Sequence, residues 1–369
     1  MLKNVHIWGP SLFLRWARAG CERTSTSGVK HIIFCLADHF EPMWNRADPD
    51  LQLERVERCV KGYPKLASVH RDSNGRPPSH TWFYAAEQYN SEHVERLSKL
   101  CEQGFGEIEM HLHHESDTPE GFEEKLETAK AEFSRHGAFI TKESPAKFAF
   151  GFIHGDFALN NSRERGRWCG VDNELRILRR AGCYADFTLP AAPQAAQTRK
   201  INSIYYAKDI PGKRKSHTKG VDVRVGGGSS GDLMLIQGPL ALRWVKRKWG
   251  FFPGIESGCI LGNNAGAPDR IDLWVGQNIH VKGRPEWTFV KVHCHGAQED
   301  DEDALLGEKA SEMFGYLEKK YSPERGYRLH YVTAREMYNM VKAAEAGREG
   351  DPWTYRNYLI KRYRNTPAQ

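Results

Sequence analysis

The chain has 369 residues, of which 40% are hydrophobic and 27% are charged, enough apolar content for a sizeable core. This composition excludes a wholly disordered chain, and the net charge of +6 is modest. No RNA- or DNA-binding fingerprint accompanies the basic residues, so we expect no nucleic-acid partner. The basic clusters at 213–215, 243–248 and 361–364 indicate either solvated surface or a face that meets an anionic polymer or a membrane surface carrying one.

The eight cysteines contain no C-x-x-C pair, which disfavours a zinc knuckle and suits reduced, buried thiols. The apolar runs in residues 1–20 are interrupted by Pro10, Arg15 and Arg18. They are too short for a membrane span or a signal peptide. We therefore expect a cytoplasmic protein.

Predicted strands and helices alternate along most of the chain. In order they are strand 29–37, helix 50–68, strand 80–86, helix 91–101, strand 106–113, helix 119–136, strand 146–154, helix 171–181, strands 184–189, 232–237 and 288–295, helix 302–320, strand 327–332 and helix 334–345. Such alternation is typical of parallel βα units. The fold class we predict is α/β, a distorted (β/α) barrel of about seven parallel strands.

The predicted barrel domain spans residues 28–346. An N-terminal extension, 1–27, precedes it, and a C-terminal tail, 347–369, follows it. Residues 190–286 are rich in Gly, Pro and Asn, and we interpret them as a long insertion that roofs the site.

Polar residues cluster where several predicted strands end, which is where parallel barrels carry their chemistry. They are Asp38 and His39; His111, His113, His114 and Glu115; His154 and Asp156; Asp186; and His293 and His295. Imidazole is the commonest protein ligand for a metal such as zinc. Alternate side chains of a strand share a face, so His111 and His113 would point one way and His114 the other. Histidines at several strand ends favour a metal or acid–base site over packing alone.

Three of these segments resemble motifs of the polysaccharide deacetylase (NodB-homology) superfamily of carbohydrate esterases. Leu36-Ala37-Asp38-His39-Phe40-Glu41 is similar to its first motif, in which a strand ends in two adjacent acids. The sequence from Glu107 to His114 is similar to its second motif, and the sequence from Phe289 to His295 to its late histidine motif. The resemblance covers residues 28–190 and 287–345. The chain lacks the family's usual Arg-Pro-Pro-Tyr-Gly motif and has His154-Gly155-Asp156 in its place.

The resemblance implies roles for individual residues. Asp38 matches the general base, His39 and His111 match metal ligands, and His293 or His295 matches the general acid. The family's second metal histidine falls on Glu115. Strand alternation favours His113 as this ligand and leaves His114 and Glu115 as alternatives.

We assign substrate binding to His154, Asp156 and Asp186, although His154 and Asp156 could instead close a tight turn at Gly155. The implied cofactor is a divalent metal. Zinc is the first choice for a histidine-rich site, with other first-row metals as alternatives.

The function that the resemblance implies is a metal-dependent hydrolase. It would remove an acetyl or similar acyl group from an N-acetylated sugar of a polysaccharide, or from a glycolipid precursor of one. Metal-bound water would attack the carbonyl, with Asp38 as base. The alternatives are an inactive carbohydrate-binding barrel and a glycosidase. The glycosidase is disfavoured because the acid pair Glu107 and Glu109 precedes the strand end.

Overall fold

The computed structural model describes residues 2–21, 28–144, 146–247 and 250–366. The described strands are β1 Lys30–Phe40, β2 His80–Ala85, β3 Gly106–Leu112, β4 Phe150–His154, β5 Cys183–Asp186, β6 Ile204–Ala207, β7 Val221–Asp222, β8 Leu233–Ile236, β9 Ala241–Arg247, β10 Gly250–Glu256, β11 Trp287–Cys294 and β12 Tyr327–Tyr331. The described helices are α1 Val5–Cys21, α2 Pro49–Ser68, α3 Ser91–Glu102, α4 Pro119–Ser134, α5 Glu174–Ala181, α6 Pro268–Gly276, α7 Glu302–Leu306, α8 Glu308–Lys320 and α9 Ala334–Glu345.

Helix boundaries follow local chemistry. The side chain of Asp48 accepts a hydrogen bond from the backbone N–H of Leu51 at the start of α2, and Thr118 caps α4 in the same way. These bonds satisfy N–H groups that have no partner within the helix. α5 ends at Gly182, whose φ of 104° lies in the left-handed region that glycine adopts without strain.

The main sheet is mostly parallel and runs in the order β11-β1-β2-β3-β4-β5-β8-β6-β7. β12 pairs in parallel with residues 30–34 of β1, while β2 pairs with residues 36–40. β1 is buried along nearly its whole length, as expected for a parallel strand covered on both faces. Because β1, β2, β3 and β11 run in the same direction, their carboxyl ends meet at one edge of the sheet.

The predicted barrel is present only in the coarser form of a large, mostly parallel α/β sheet. Within the described ranges, the ladders form a path from β11 to β7, and no hydrogen-bonded ladder joins β11 to β5 or β8, which leaves a gap between them. The gap is spanned by a side chain. Nζ of the buried Lys291 donates to the carbonyl oxygens of Phe187 at 2.7 Å and Leu189 at 2.8 Å. Beyond β8 the sheet continues outward through antiparallel β6 and β7.

Segments outside the regular strand–helix alternation also pack against this sheet. Trp8 of α1 is fully buried with Ile201 and Leu240. Near the other terminus, the buried Tyr363 donates a hydrogen bond to Oε1 of Glu109 at 2.9 Å. Residues 22–27 of the predicted extension and 367–369 of the predicted tail lie outside the described residues. Among the described helices, none combines the length and apolar character needed to cross a membrane.

Candidate metal centre

Imidazoles from three strand ends converge at the carboxyl edge of the sheet. The ring centre of His39, at the end of β1, lies 5.1 Å from that of His111, 5.7 Å from that of His293 and 4.9 Å from that of His295. Parallel pairing explains the meeting, since His293 of β11 lies opposite Ala37 of β1 in the register. The structure therefore brings together histidines that are far apart in the chain.

The carboxylate of Glu41 lies at the centre of this group. Its Oε1 is 3.1 Å from Nε2 of His111 and 3.7 Å from Nε2 of His113. The same carboxylate has ligand atoms of His39 and His295 within 4.8 Å. Burial alone would raise the pKa of Glu41, but the hydrogen bond and charge of His111, with the charge of His113, bring it below its ordinary value. Glu41 is thus an ionised, buried carboxylate among four imidazoles.

Second contacts fix the orientation of two of these imidazoles. Nδ1 of His111 lies 2.9 Å from the carbonyl oxygen of Ile153, and Nδ1 of His113 lies 2.7 Å from Oε1 of Glu87. A carbonyl or carboxylate oxygen only accepts, so each Nδ1 carries the proton and each Nε2 faces Glu41. Metal-binding histidines are commonly oriented in this way.

The carboxylates around His113 favour a positive charge on this side chain. Burial lowers the pKa of His113, but the hydrogen bond and charge of Glu87, together with the charge of Glu41, raise it to about 9. A positive charge is therefore favoured between His113 and the two carboxylates, whether a proton or a metal ion supplies it.

Two further imidazole nitrogens are buried without a hydrogen-bond partner among the described residues: Nε2 of His39 and Nδ1 of His293. Burial and the neighbouring charges hold the pKa of both side chains well below the ordinary value, so both rings are neutral. Buried polar atoms without partners are costly and usually mark a function or a bound group. The donor set of one carboxylate and several neutral imidazoles fits a divalent first-row metal.

Asp38 does not belong to this group. It is fully buried on the opposite face of β1. Its Oδ2 lies 2.9 Å from Nε2 of His80, and its Oδ1 accepts a hydrogen bond of 2.6 Å from the backbone N–H of Gly296. Asp38 thus connects β1 to β2 and to the loop after β11. The predicted base role is not supported by this position, because strand alternation aims His39, and not Asp38, at the cluster.

The three residues assigned to substrate binding lie in different environments. Asp186 is buried and accepts hydrogen bonds from the backbone N–H of Thr188 at 3.1 Å and from its hydroxyl at 2.6 Å, which is a structural arrangement. His154 is fully buried and faces a separate group of side chains. Asp156 is exposed, and its charge helps to raise the pKa of His113, which places it at the rim of the centre.

The alternatives for the second metal histidine are also separated. His114 points away from Glu41, and its ring centre lies 4.6 Å from that of His154, as strand alternation predicts. Glu115 is exposed. Of these three residues, His113 is therefore the one whose side chain approaches Glu41.

Two residues of the centre, Glu41 and Glu87, are not among the site residues predicted from the sequence. Glu41 could have been found, since it lies two positions beyond His39 and so falls on the same strand face. Glu87 follows β2 in a short turn and reaches His113 only through tertiary packing, for which no local pattern exists.

No known protein-family model matches the chain, and no curated protein matches it. Among solved structures, the chain is similar to a protein from Mycobacterium smegmatis described as a "putative polysaccharide deacetylase". The TM-score is 0.45 and the identity is 11%, over 89% of this chain and 96% of that one.

Proposed function

We propose that the protein is a metal-dependent hydrolase that removes an acetyl or similar acyl group from an N-acetylated sugar of a glycan or its precursor. The observation that carries this proposal is the Glu41 carboxylate shared by His111 and His113, with His39 and His295 on its other side. The motif resemblance around residues 36–41, 107–114 and 289–295 supports the same chemistry.

The metal ligands in this proposal are Glu41, His111 and His113. Distances of 3.1 and 3.7 Å between Glu41 Oε1 and the two Nε2 atoms are close to the spacing of about 3.3 Å between tetrahedral ligands at zinc. Glu41 thus takes the ligand position expected for His39. Bound Zn²⁺ would activate a water molecule and polarise the acyl carbonyl.

Proton transfer falls to the remaining histidines. Amide hydrolysis forms a carbon–oxygen bond from water, breaks the carbon–nitrogen bond, and moves a proton from the water to the departing amine. We assign His39 as the base, since its Nε2 is neutral, buried and unpartnered among the described residues. His295 is only half-buried, so it can exchange protons with solvent and donate one to the amine.

The walls of the centre suit an acyl group on a polar sugar. The ring centre of Phe157 lies 5.4 Å from that of His39 and 5.9 Å from that of His293, which gives the acyl methyl an apolar contact. Asp156 is exposed beside it and can accept hydrogen bonds from sugar hydroxyls.

The test is acetate release from N-acetylated glucosamine oligosaccharides, followed together with metal content. We expect stoichiometric metal and acetate release without change in oligosaccharide length, both lost in His111→Ala. His136→Ala is the control, because His136 pairs with Tyr89 away from the centre. New reducing ends would establish a glycosidase, and binding without acetate release would establish an inactive carbohydrate-binding protein; either result refutes the proposal.

A further inference from the structure

A second group of metal-binding side chains lies behind the first, on the opposite face of the β3 end. It consists of His114, His154, Cys169 and Glu174. His154, Cys169 and Glu174 are fully buried, and His114 is 7% exposed. Their ligand atoms all lie within 4.8 Å of one another. They come from the ends of β3 and β4, a loop, and the first turn of α5, so only the fold assembles them.

Three separations between these side chains are close to the ligand–ligand distances of a tetrahedral zinc site. Oε1 of Glu174 lies 3.3 Å from Nε2 of His114 and 3.3 Å from Nε2 of His154, and Cys169 Sγ lies 3.7 Å from Glu174 Oε2. Tetrahedral ligands at about 2.0–2.3 Å from zinc stand about 3.3–3.8 Å from each other, the longer edges involving sulfur.

Hydrogen bonding does not account for the position of His154. Its Nδ1 lies 2.6 Å from the carbonyl oxygen of Gly155, which only accepts, so Nδ1 carries the proton. Nε2 is buried and has no hydrogen-bond partner among the described residues. It lies 3.3 Å from Oε1 of Glu174, which is itself 3.3 Å from Nε2 of His114. A cation placed between these three atoms would give the unpartnered nitrogen a partner.

A carboxylate lies behind His114, and a backbone N–H lies behind Glu174. Oδ2 of Asp117 lies 3.2 Å from Nδ1 of His114, the ring nitrogen on the side away from Glu174. The backbone N–H of Asn160 donates to Oε2 of Glu174. Carboxylates behind ligating imidazoles and hydrogen bonds to ligating carboxylates orient ligands and tune the metal.

We propose that His114, His154, Cys169 and Glu174 bind a structural Zn²⁺ ion. Four protein ligands in a buried site leave no position for a reacting water, which distinguishes a structural zinc site from a catalytic one. The ion would fasten the loop between β4 and α5 to the end of β3. That loop begins with Gly155, whose backbone lies against His113, so the structural ion would also steady one wall of the first centre. The proposal does not depend on the hydrolase function.

The test compares metal content and cobalt spectra of the full chain. We expect two metal ions per wild-type chain, one in His111→Ala and one in Cys169→Ser. After replacement by Co²⁺, the wild type and His111→Ala show the near-ultraviolet thiolate-to-cobalt charge-transfer band, whereas Cys169→Ser lacks it. Cys183→Ser is the matched control. Cys183 is also buried, but among the described residues its Sγ hydrogen-bonds to a backbone carbonyl oxygen and not to a metal-binding side chain. We expect this variant to keep both ions and the band.

The results separate this proposal from the hydrolase proposal. A single ion that His111→Ala removes, with no thiolate band in the wild type, overturns the structural site and leaves the first centre intact. A single ion with the band, retained in His111→Ala, supports the structural site and contradicts the first centre. Loss of metal in Cys169→Ser without any change in the cobalt spectrum also overturns the site, since the thiolate would then not be a ligand.

Discussion

Oε1 of Glu41 and Nε2 of His111 lie 3.1 Å apart, although 70 residues separate them in the chain. Parallel β1 and β3 deliver the two side chains to the same sheet edge, with β2 between them. Nδ1 of His111 lies 2.9 Å from the carbonyl oxygen of Ile153, which orients Nε2 toward the Glu41 carboxylate. A positive charge at this point, from a proton or a metal ion, would stabilise the pair, so Glu41 and His111 form the core of the centre.

Glu87 holds the His113 imidazole in position on the side away from Glu41. It accepts from Nδ1 of His113 at 2.7 Å and from its backbone N–H at 3.1 Å. We expect Glu87→Gln to lower metal affinity by about 10–100-fold, as is typical when a partner of a ligating histidine is changed. Competition with a fluorescent chelator measures this. Glu95→Gln, an exposed change on α3, should leave the affinity unchanged; equal effects of both variants would contradict the assigned role.

A structural role and a general-base role for Asp38 predict opposite effects of its substitution. In Asp38→Asn the bonds to His80 and Gly296 are weakened inside the protein, so we expect a loss of about 1–3 kcal/mol in the free energy of unfolding. Metal content should stay that of the wild type. Urea unfolding and metal analysis check this. A variant of unchanged stability that loses only turnover would restore Asp38 as the base.

Gly155 is needed because His113 lies against it. A β-carbon at position 155 would stand 2.2 Å from Cδ2 of His113 and 2.9 Å from its Cα, too close for any side chain. We expect Gly155→Ala to displace the imidazole and to reduce both metal affinity and acetate release. Gly276→Ala, where a β-carbon meets nothing within 4 Å, is the control. Wild-type metal affinity in Gly155→Ala would show that His113 is not a ligand.

Asp186 makes stability depend on pH. Burial, only partly offset by hydrogen bonds from Thr188, raises its pKa from 3.8 to about 7. Between these values the folded state keeps a proton that the unfolded state has lost, so stability falls as the pH rises toward about 7 and then levels off. We expect Asp186→Asn to remove this part of the pH dependence in urea unfolding. The exposed change Asp300→Asn should keep the wild-type profile, and a profile in Asp186→Asn parallel to the wild type would refute the shifted pKa.

Much of the fold could be predicted from the sequence, because alternating apolar runs and helix-end signals are local. The predicted strand 29–37 corresponds to β1 and the predicted helix 50–68 to α2. The predicted helix 302–320 is divided at Gly307 into α7 and α8. The predicted strand 232–237 corresponds to β8. The sequences of α1, β6, β7, β9 and β10 carry no clear period, and their packing depends on distant partners.

The site was harder to predict, because its residues come together only through contacts between distant parts of the chain. Strand alternation correctly separates His114 from His113, yet the motif resemblance drew attention to Asp38, which lies on the other face of β1. Cys169 and Glu174 reach His114 and His154 only in the folded chain. No spacing in the sequence could have joined them.

The most direct test of the central claim is a crystal structure of the protein, purified without chelator, with data at the metal absorption edge. We predict an anomalous peak bound by Oε1 of Glu41 and by Nε2 of His111 and His113. An empty position among these three side chains in metal-replete crystals, or a peak bound instead by Asp38, would contradict the account.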